Sequence, residues 1–241
     1  MIRFSPGILV AFEGIDGCGK TTQIEILETA LRRAGVDVTR TREPTDGPHG
    51  RALRTSAQTG RLAPEEEAAL FLADRRDHVR ALIAPALARG AVVLVDRYYF
   101  SSIAYQGARG LSLAAIRRAN EAIAPRPDLV IMIETSPATS IGRIHTRGTD
   151  PDRFEEDDNL RRVAAIFKTL PDPFIVRLPG DRSIPELSRM VMRAFCDGPL
   201  FARLCPHAEQ GEAPNPPCRT KARGECPTPC LWTKLSSLAD C

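Results

Sequence analysis

Short, nearly continuous runs of Val, Ile and Leu recur along the chain at 8–13, 36–40, 91–95, 129–134 and 174–178. Unbroken apolar runs, as opposed to alternating ones, mark strands covered on both faces, as in a parallel sheet. The segments between them carry the wider apolar spacing of helices over 21–34, 64–89, 113–124, 137–147, 155–169 and 185–195, with Pro85 near the end of the second. Strands alternating with helices predict an α/β fold, a five-stranded parallel sheet flanked by helices. No internal repeat is visible.

Towards the C-terminus the pattern fails. Six of the seven cysteines, Cys196 to Cys241, crowd into the last 46 residues together with seven of the 20 prolines and the only tryptophan. This predicts a main domain over 1–197 and a cysteine- and proline-rich extension over 198–241. Over the whole 241 residues, 43% hydrophobic and 26% charged side chains leave enough apolar material for a full core and exclude fibrous or wholly disordered classes. A net charge of +3 is too small to announce a nucleic-acid partner. No apolar run approaches the ~18 residues of a membrane span, and the one after Met1 is too short for a signal-peptide core, so a cytoplasmic location is expected.

The first run leads into Gly14-Ile15-Asp16-Gly17-Cys18-Gly19-Lys20-Thr21, with Thr22 next, a G-x-x-x-x-G-K-[ST] loop between strand and helix. The glycines let successive backbone N–H groups turn inward on phosphate oxygens at the positive end of the next helix. Lys20 is expected to reach the β and γ phosphates, and the Thr21 hydroxyl to ligate Mg²⁺. Cys18 reads as a small filler rather than a reactive thiol, because no base adjoins it in sequence. The loop calls for a nucleoside triphosphate and leaves the reaction open.

Chemistry at the edge of the sheet narrows the choice. The third run ends in Asp96-Arg97, a carboxylate suited to Mg²⁺ or its waters and a guanidinium suited to a second phosphate. A GTPase switch would offer Asn-Lys-x-Asp, which is absent from the chain.

Phe12 to Gln23, Thr41-Arg42-Glu43-Pro44, Leu70 to Arg75 with His78, and Asp96-Arg97-Tyr98 with Ser101-Ser102 and Ala104-Tyr105-Gln106-Gly107 together resemble the thymidylate kinase family over about 8–195. The resemblance implies a P-loop nucleotide-kinase fold, Mg²⁺-dependent transfer of the ATP γ-phosphoryl group to dTMP, and a homodimer. By the same likeness Phe71 stacks on thymine and Arg75 hydrogen-bonds the base. Arg42 and Arg97 grip the acceptor phosphate, and Asp16 meets the deoxyribose 3′-hydroxyl. Tyr105 blocks a ribose 2′-hydroxyl, and Ser102 and Gln106 are lesser polar neighbours of the base.

Phosphoryl transfer needs positive charge over the moving oxygens, and an arginine there is worth about 10³–10⁵ in rate. Position 17, basic in some thymidylate kinases, is Gly. Arg143, Arg147 and Arg153 instead bracket 148–152 and resemble the lid of the bacterial type. The turn after Pro44 departs from the family's Gly-Gly-Thr type and reads Thr45-Asp46-Gly47-Pro48-His49-Gly50, with His49 expected in a loop. The extension reads as a disordered proline-rich segment with incidental cysteines or, alternatively, as a structural zinc site for which Cys205, His207, Cys218, Cys226 and Cys230 supply the ligand types, with a spacing looser than the commonest knuckle. Another nucleotide kinase of this fold, and a nucleotide-binding module with little turnover, are the alternative functions.

Overall fold

The computed structural model describes residues 1–145, 153–197 and 199–204. Five parallel strands form one sheet in the order β2-β3-β1-β4-β5: β1 Ile8–Glu13, β2 Val38–Arg42, β3 Val92–Asp96, β4 Leu129–Glu134 and β5 Ile175–Pro179. β1 lies between β3 and β4, pairing Phe12 with Asp96 on one side and with Ile131 on the other. The Asp96 carboxylate therefore ends one strand away from the phosphate loop. The three central strands are apolar on both faces and buried almost throughout.

Around the sheet run α1 Lys20–Arg33, α2 Pro48–Thr59, α3 Pro64–His78, α4 Ala84–Ala88, α5 Tyr99–Ala108, α6 Leu113–Glu121, α7 Pro137–His145, α8 Arg153–Thr169, α9 Ile184–Asp197 and the single turn α10 Phe201–Leu204. Three differences from the sequence expectation have physical causes. The second strand runs over Val38–Arg42, two residues later than expected, because Val36 is buried by a separate bridge to Ile2. The expected helix over 64–89 is divided by a π-helical turn at Val79–Ile83, just before Pro85, which has no N–H to continue an α-helical ladder. Besides the turn α10, two helices have no counterpart in the apolar pattern. α2 holds only Gly50 and Leu53 buried, and α5 is built of aromatic, β-branched and hydroxyl side chains of modest helix propensity. His49 accordingly sits in the first turn of α2 and not in a loop.

Packed chain continues beyond residue 197. Leu200 and Leu204 are buried in the core, and Arg203 donates to Asp128 Oδ1 at 2.8 Å and to the Gly7 carbonyl at 3.2 Å. The Leu9 amide donates to the other oxygen of Asp128 at 2.7 Å, tying this last turn to the start of β1. Burial of one leucine contributes about 1.5–3 kcal/mol, so a chain ending at 197 loses roughly 3–6 kcal/mol from two of them before the Arg203 bonds are counted. A chain ending at Leu204 should melt with the full-length protein and one ending at residue 197 several degrees lower, as read by calorimetry. Equal melting temperatures would show that the turn adds nothing to the fold.

Candidate active site

The phosphate loop closes where β1 hands the chain to α1. Gly14 has φ 138°, and a Cβ on it would stand 2.4 Å from the Ile133 carbonyl oxygen, so neither the backbone path nor the space admits another residue. Gly19, at φ 102°, turns the chain into α1. The Lys20 ammonium curls back over the loop and donates to the carbonyls of Gly14 and Ile15, each at 3.0 Å. Cys18 lies beneath, fully buried, its Sγ 3.7 Å from Lys20 Nζ. The Thr21 hydroxyl donates to Asp96 Oδ2 at 2.7 Å. Two hard oxygen ligands side by side, next to a buried ammonium, suit a cation such as Mg²⁺ that prefers oxygen. Among the described residues no cluster of three or more His, Cys, Asp or Glu forms a further metal site.

Arg97 enters the site through an unusual backbone. It is the one non-glycine residue with positive φ, 66°, among those described, a sparsely populated region for a side chain of this size. Its amide donates to the Phe12 carbonyl at 3.0 Å. The buried Glu13 carboxyl holds the first turn of α5, accepting from the Tyr98 amide at 2.8 Å, the Ser101 amide at 3.1 Å and the Ser101 hydroxyl at 2.6 Å. This arrangement throws the Arg97 guanidinium onto Asp16 Oδ1 at 2.6 Å, while the Tyr105 hydroxyl donates to Asp16 Oδ2 at 3.0 Å. Arg97 beside it holds the Asp16 carboxyl well below the usual carboxylate range. Burial drives Glu13 the other way, up to about 7 from 4.5, against the hydrogen bonds and the Arg97 charge that favour its anion.

Two clefts meet here. The first is lined by Phe71, Arg75, Tyr98, Ser102, Tyr105 and Gln106. The second holds Gly17, Gly19, Lys20, Thr21, Thr22, Arg42, Arg54 and Asp96. Asp16, Glu43, Pro44 and Arg97 line both and form their common wall. Arg75 is almost wholly buried; its Nε and Nη2 donate to Glu43 Oε2 at 2.8 and 2.6 Å. The remaining Glu43 oxygen lies 3.0 Å from His78 Nδ1, and His78 Nε2 lies 2.7 Å from the Thr41 hydroxyl. The Gln106 Oε1 atom is buried without a hydrogen-bond partner.

The residues anticipated from sequence thus gather in one place as far as they are described. Arg143 lies across the phosphate loop, donating to the Gly180 carbonyl at 3.1 Å and reaching the Gly17 carbonyl at 3.5 Å. Arg153 begins α8, but its side chain, like all of Arg147, falls outside the described residues. So do Cys205, His207, Cys218, Cys226 and Cys230. Sequence reasoning missed Glu13, Arg54 and Asn120 as site residues. Arg54 donates to the Pro44 carbonyl at 3.1 Å and to Asp46 Oδ1 at 2.9 Å, the oxygen that Arg42 also contacts at 3.0 Å. Arg54 lies on α2, which the apolar pattern does not show, and Glu13 and Asn120 act through contacts between distant parts of the chain.

A parallel sheet with a phosphate loop at the switch between β1 and β3, and an aromatic cleft opening onto it, defines a P-loop nucleotide kinase fold. The family model for thymidylate kinase matches residues 12–191. Proteins named thymidylate kinase are similar over most of the chain. That of Xanthomonas campestris pv. campestris strain B100 is 53% identical over 184 residues, 76% of this chain and 78% of its own length. That of Xanthomonas oryzae pv. oryzae strain PXO99A is 52% identical over 201 residues, 81% and 88% of the two chains, and that of Akkermansia muciniphila 48% over 189, 78% and 91%. The chain belongs to the thymidylate kinase family. No helix among the described residues is long and apolar enough to cross a membrane.

Glu13 makes a pH-dependent contribution to stability. Its folded pKa near 7 exceeds the ordinary 4.5, so between those values the folded protein keeps a proton the unfolded chain has lost. The contribution is full below pH 4.5 and is lost as pH rises through 7. Glu13→Gln lacks this titration while keeping the shape. Urea unfolding at pH 5 to 8 should therefore show wild type losing up to about 3 kcal/mol relative to the variant as pH rises. A constant difference would mean that Glu13 is ionised throughout.

Proposed function

We propose that the protein phosphorylates dTMP to dTDP, with ATP as phosphoryl donor and Mg²⁺ as cofactor. The observation that carries this reading is the common wall of the two clefts: Asp16 and Arg97 stand where an acceptor held in the aromatic cleft meets a donor held on the phosphate loop. Phe71 offers its ring to the pyrimidine face, a stacking worth about 1–3 kcal/mol in related settings. Arg75 donates to the base carbonyl, and Ser102 and Gln106 lie beside the same edge. Tyr105, held on Asp16, leaves no room for a 2′-hydroxyl, and Asp16 accepts from the 3′-hydroxyl. Arg42 and Arg97 grip the acceptor phosphate, with Arg54 of α2 lining the same cleft.

On the donor side Lys20 and the loop amides hold the β and γ phosphate oxygens, as does the N-terminal end of α1. Thr21 and Asp96 would hold Mg²⁺, which neutralises charge on those oxygens when bound. With Gly at position 17, the lid arginines, Arg143 with Arg147 and Arg153, supply charge to the transferring group. Such transfer asks for positioning and charge more than for a base. The subunit pairs as a homodimer, as the family likeness implies, and light scattering should return twice the chain mass. Cytoplasmic location fits this role. The zinc suggested for the tail rests on ligand types alone, and catalysis draws nothing from it.

An ADP-release assay over nucleoside monophosphates tests the acceptor. dTMP should give the highest kcat/KM, dUMP a lower one, and dCMP and purine nucleotides far lower ones; comparable values for dCMP would overturn the assignment. Lys20→Ala should remain folded by circular dichroism and lose at least about 100-fold in kcat, the scale of losing one charge-stabilising donor. Near-wild-type turnover would refute the role of the loop.

A further inference from the structure

Buried arginine is costly unless its donors are satisfied, and the partners of Arg75 define which of its N–H groups face the cleft. A guanidinium carries five. Nε and Nη2 each give one to Glu43 Oε2, at 2.8 and 2.6 Å. Nη1 gives one to the Ser102 hydroxyl oxygen at 3.1 Å and one to Asn120 Oδ1. One N–H, on Nη2, is left over in these contacts, and Arg75 lines the aromatic cleft. Asn120 itself does not line it. This residue is buried on α6, and its Nδ2 donates to the Ile116 carbonyl at 2.8 Å. That bond fixes which end of the amide faces Arg75, so Asn120 serves as an acceptor and cannot turn round to donate.

We propose that Asn120 is a specificity-determining positioning residue, which pins Nη1 of Arg75 while Glu43 holds Nε and Nη2, so that a donor alone faces the exocyclic group of the bound base. The inference rests on the dTMP kinase reading above. A thymine carbonyl accepts from that donor. The amino group at the same place on cytosine is itself a donor, and faces an N–H that Glu43 on one side and Asn120 on the other prevent from moving. Gln106 cannot impose this choice, because a rotating amide presents either its oxygen or its nitrogen. Without the Asn120 acceptor, Nη1 keeps only Ser102, and the guanidinium can swing clear of the amino group. A misplacement of about 1 Å in a positioning group can cost roughly 100-fold.

The test compares Asn120→Leu, which removes the acceptor at similar volume, with Asn120→Asp, which keeps an acceptor towards Arg75. With ATP saturating, the ratio of kcat/KM for dTMP to that for dCMP should fall by roughly 10- to 100-fold in Asn120→Leu. The change should lie mainly in the KM for the acceptor, with the KM for ATP as in wild type, and Asn120→Asp should retain most of the ratio. A wild-type ratio in Asn120→Leu, or equal losses for both acceptors, would overturn the inference and leave Asn120 a structural part of α6. Should Asn120→Leu fail to fold, Asn120→Ala decides by the same ratio. A wild-type enzyme with no preference for dTMP would instead overturn the acceptor assignment beneath it.

Discussion

A single buried carboxyl joins the two halves of the site. Glu13 is the last residue of β1, the strand that delivers the phosphate loop, yet its oxygens are spent on the first turn of α5, at Tyr98 and Ser101. The connection fixes the distance between the loop that would hold a donor and the turn that carries Arg97. It also accepts from the Tyr98 amide at the N-cap of α5 and shares the Ser101 amide with the Tyr98 carbonyl, as a capping side chain does. The left-handed backbone of Arg97 is tolerated because both of its flanks are held, by the Phe12 carbonyl on one side and Glu13 on the other. Desolvation opposes the charged form of that carboxyl, so the same burial that makes Glu13 a rigid post makes the post sensitive to pH.

Charge around the clefts obeys a second rule: arginines that line them are held by carboxylates of the same chain. Arg97 sits on Asp16, Arg75 on Glu43, and Arg42 and Arg54 share Asp46. These pairs differ in kind. Arg75 and Glu43 are both buried, where removing one partner would strand a desolvated charge, a loss far larger than the pair's net contribution. Arg42 and Asp46 are largely exposed, and such a contact contributes at most about 1 kcal/mol. The buried pair therefore sets geometry, whereas the exposed one can exchange partners at little cost when a phosphate competes for the arginine. A fixed arginine in one cleft and an adjustable one in the other result from burial alone.

Much of this is legible in the sequence, and the illegible parts share a cause. The central strands announce themselves because both faces are buried, which writes continuous apolar runs, and the phosphate loop because its glycines and Lys20 are needed at fixed spacing. The edge strand β2 alternates in burial, and its start is obscured by Val36, whose partner Ile2 lies far off in sequence. α2 shows little apolar face, and α5 spends its surface on the site as well as the core, so helical period is weak in both. Asp16, Arg75 and Arg97 can be named from local motifs. Glu13 and Asn120 cannot, since each acts on a residue 45 or more positions away and neither spacing nor composition records such a contact.

The last described turn packs at the end of the sheet opposite the phosphate loop. Arg203 reaches the Gly7 carbonyl and Asp128, both at the ends where β1 and β4 begin. The phosphate loop leaves β1 at its other end, six residues on. At ~3.3 Å per residue the strand alone puts ~20 Å between them. Ligands of such sheets bind beyond the carboxyl ends of the strands, so the opposite edge is free to serve as an anchor without entering the active site. Leu200 and Leu204 are buried in the core at that edge, so apolar packing continues past the composition change at residue 197. The turn that ends at Leu204 therefore sits at the edge of the sheet remote from Lys20, Asp96 and Arg97.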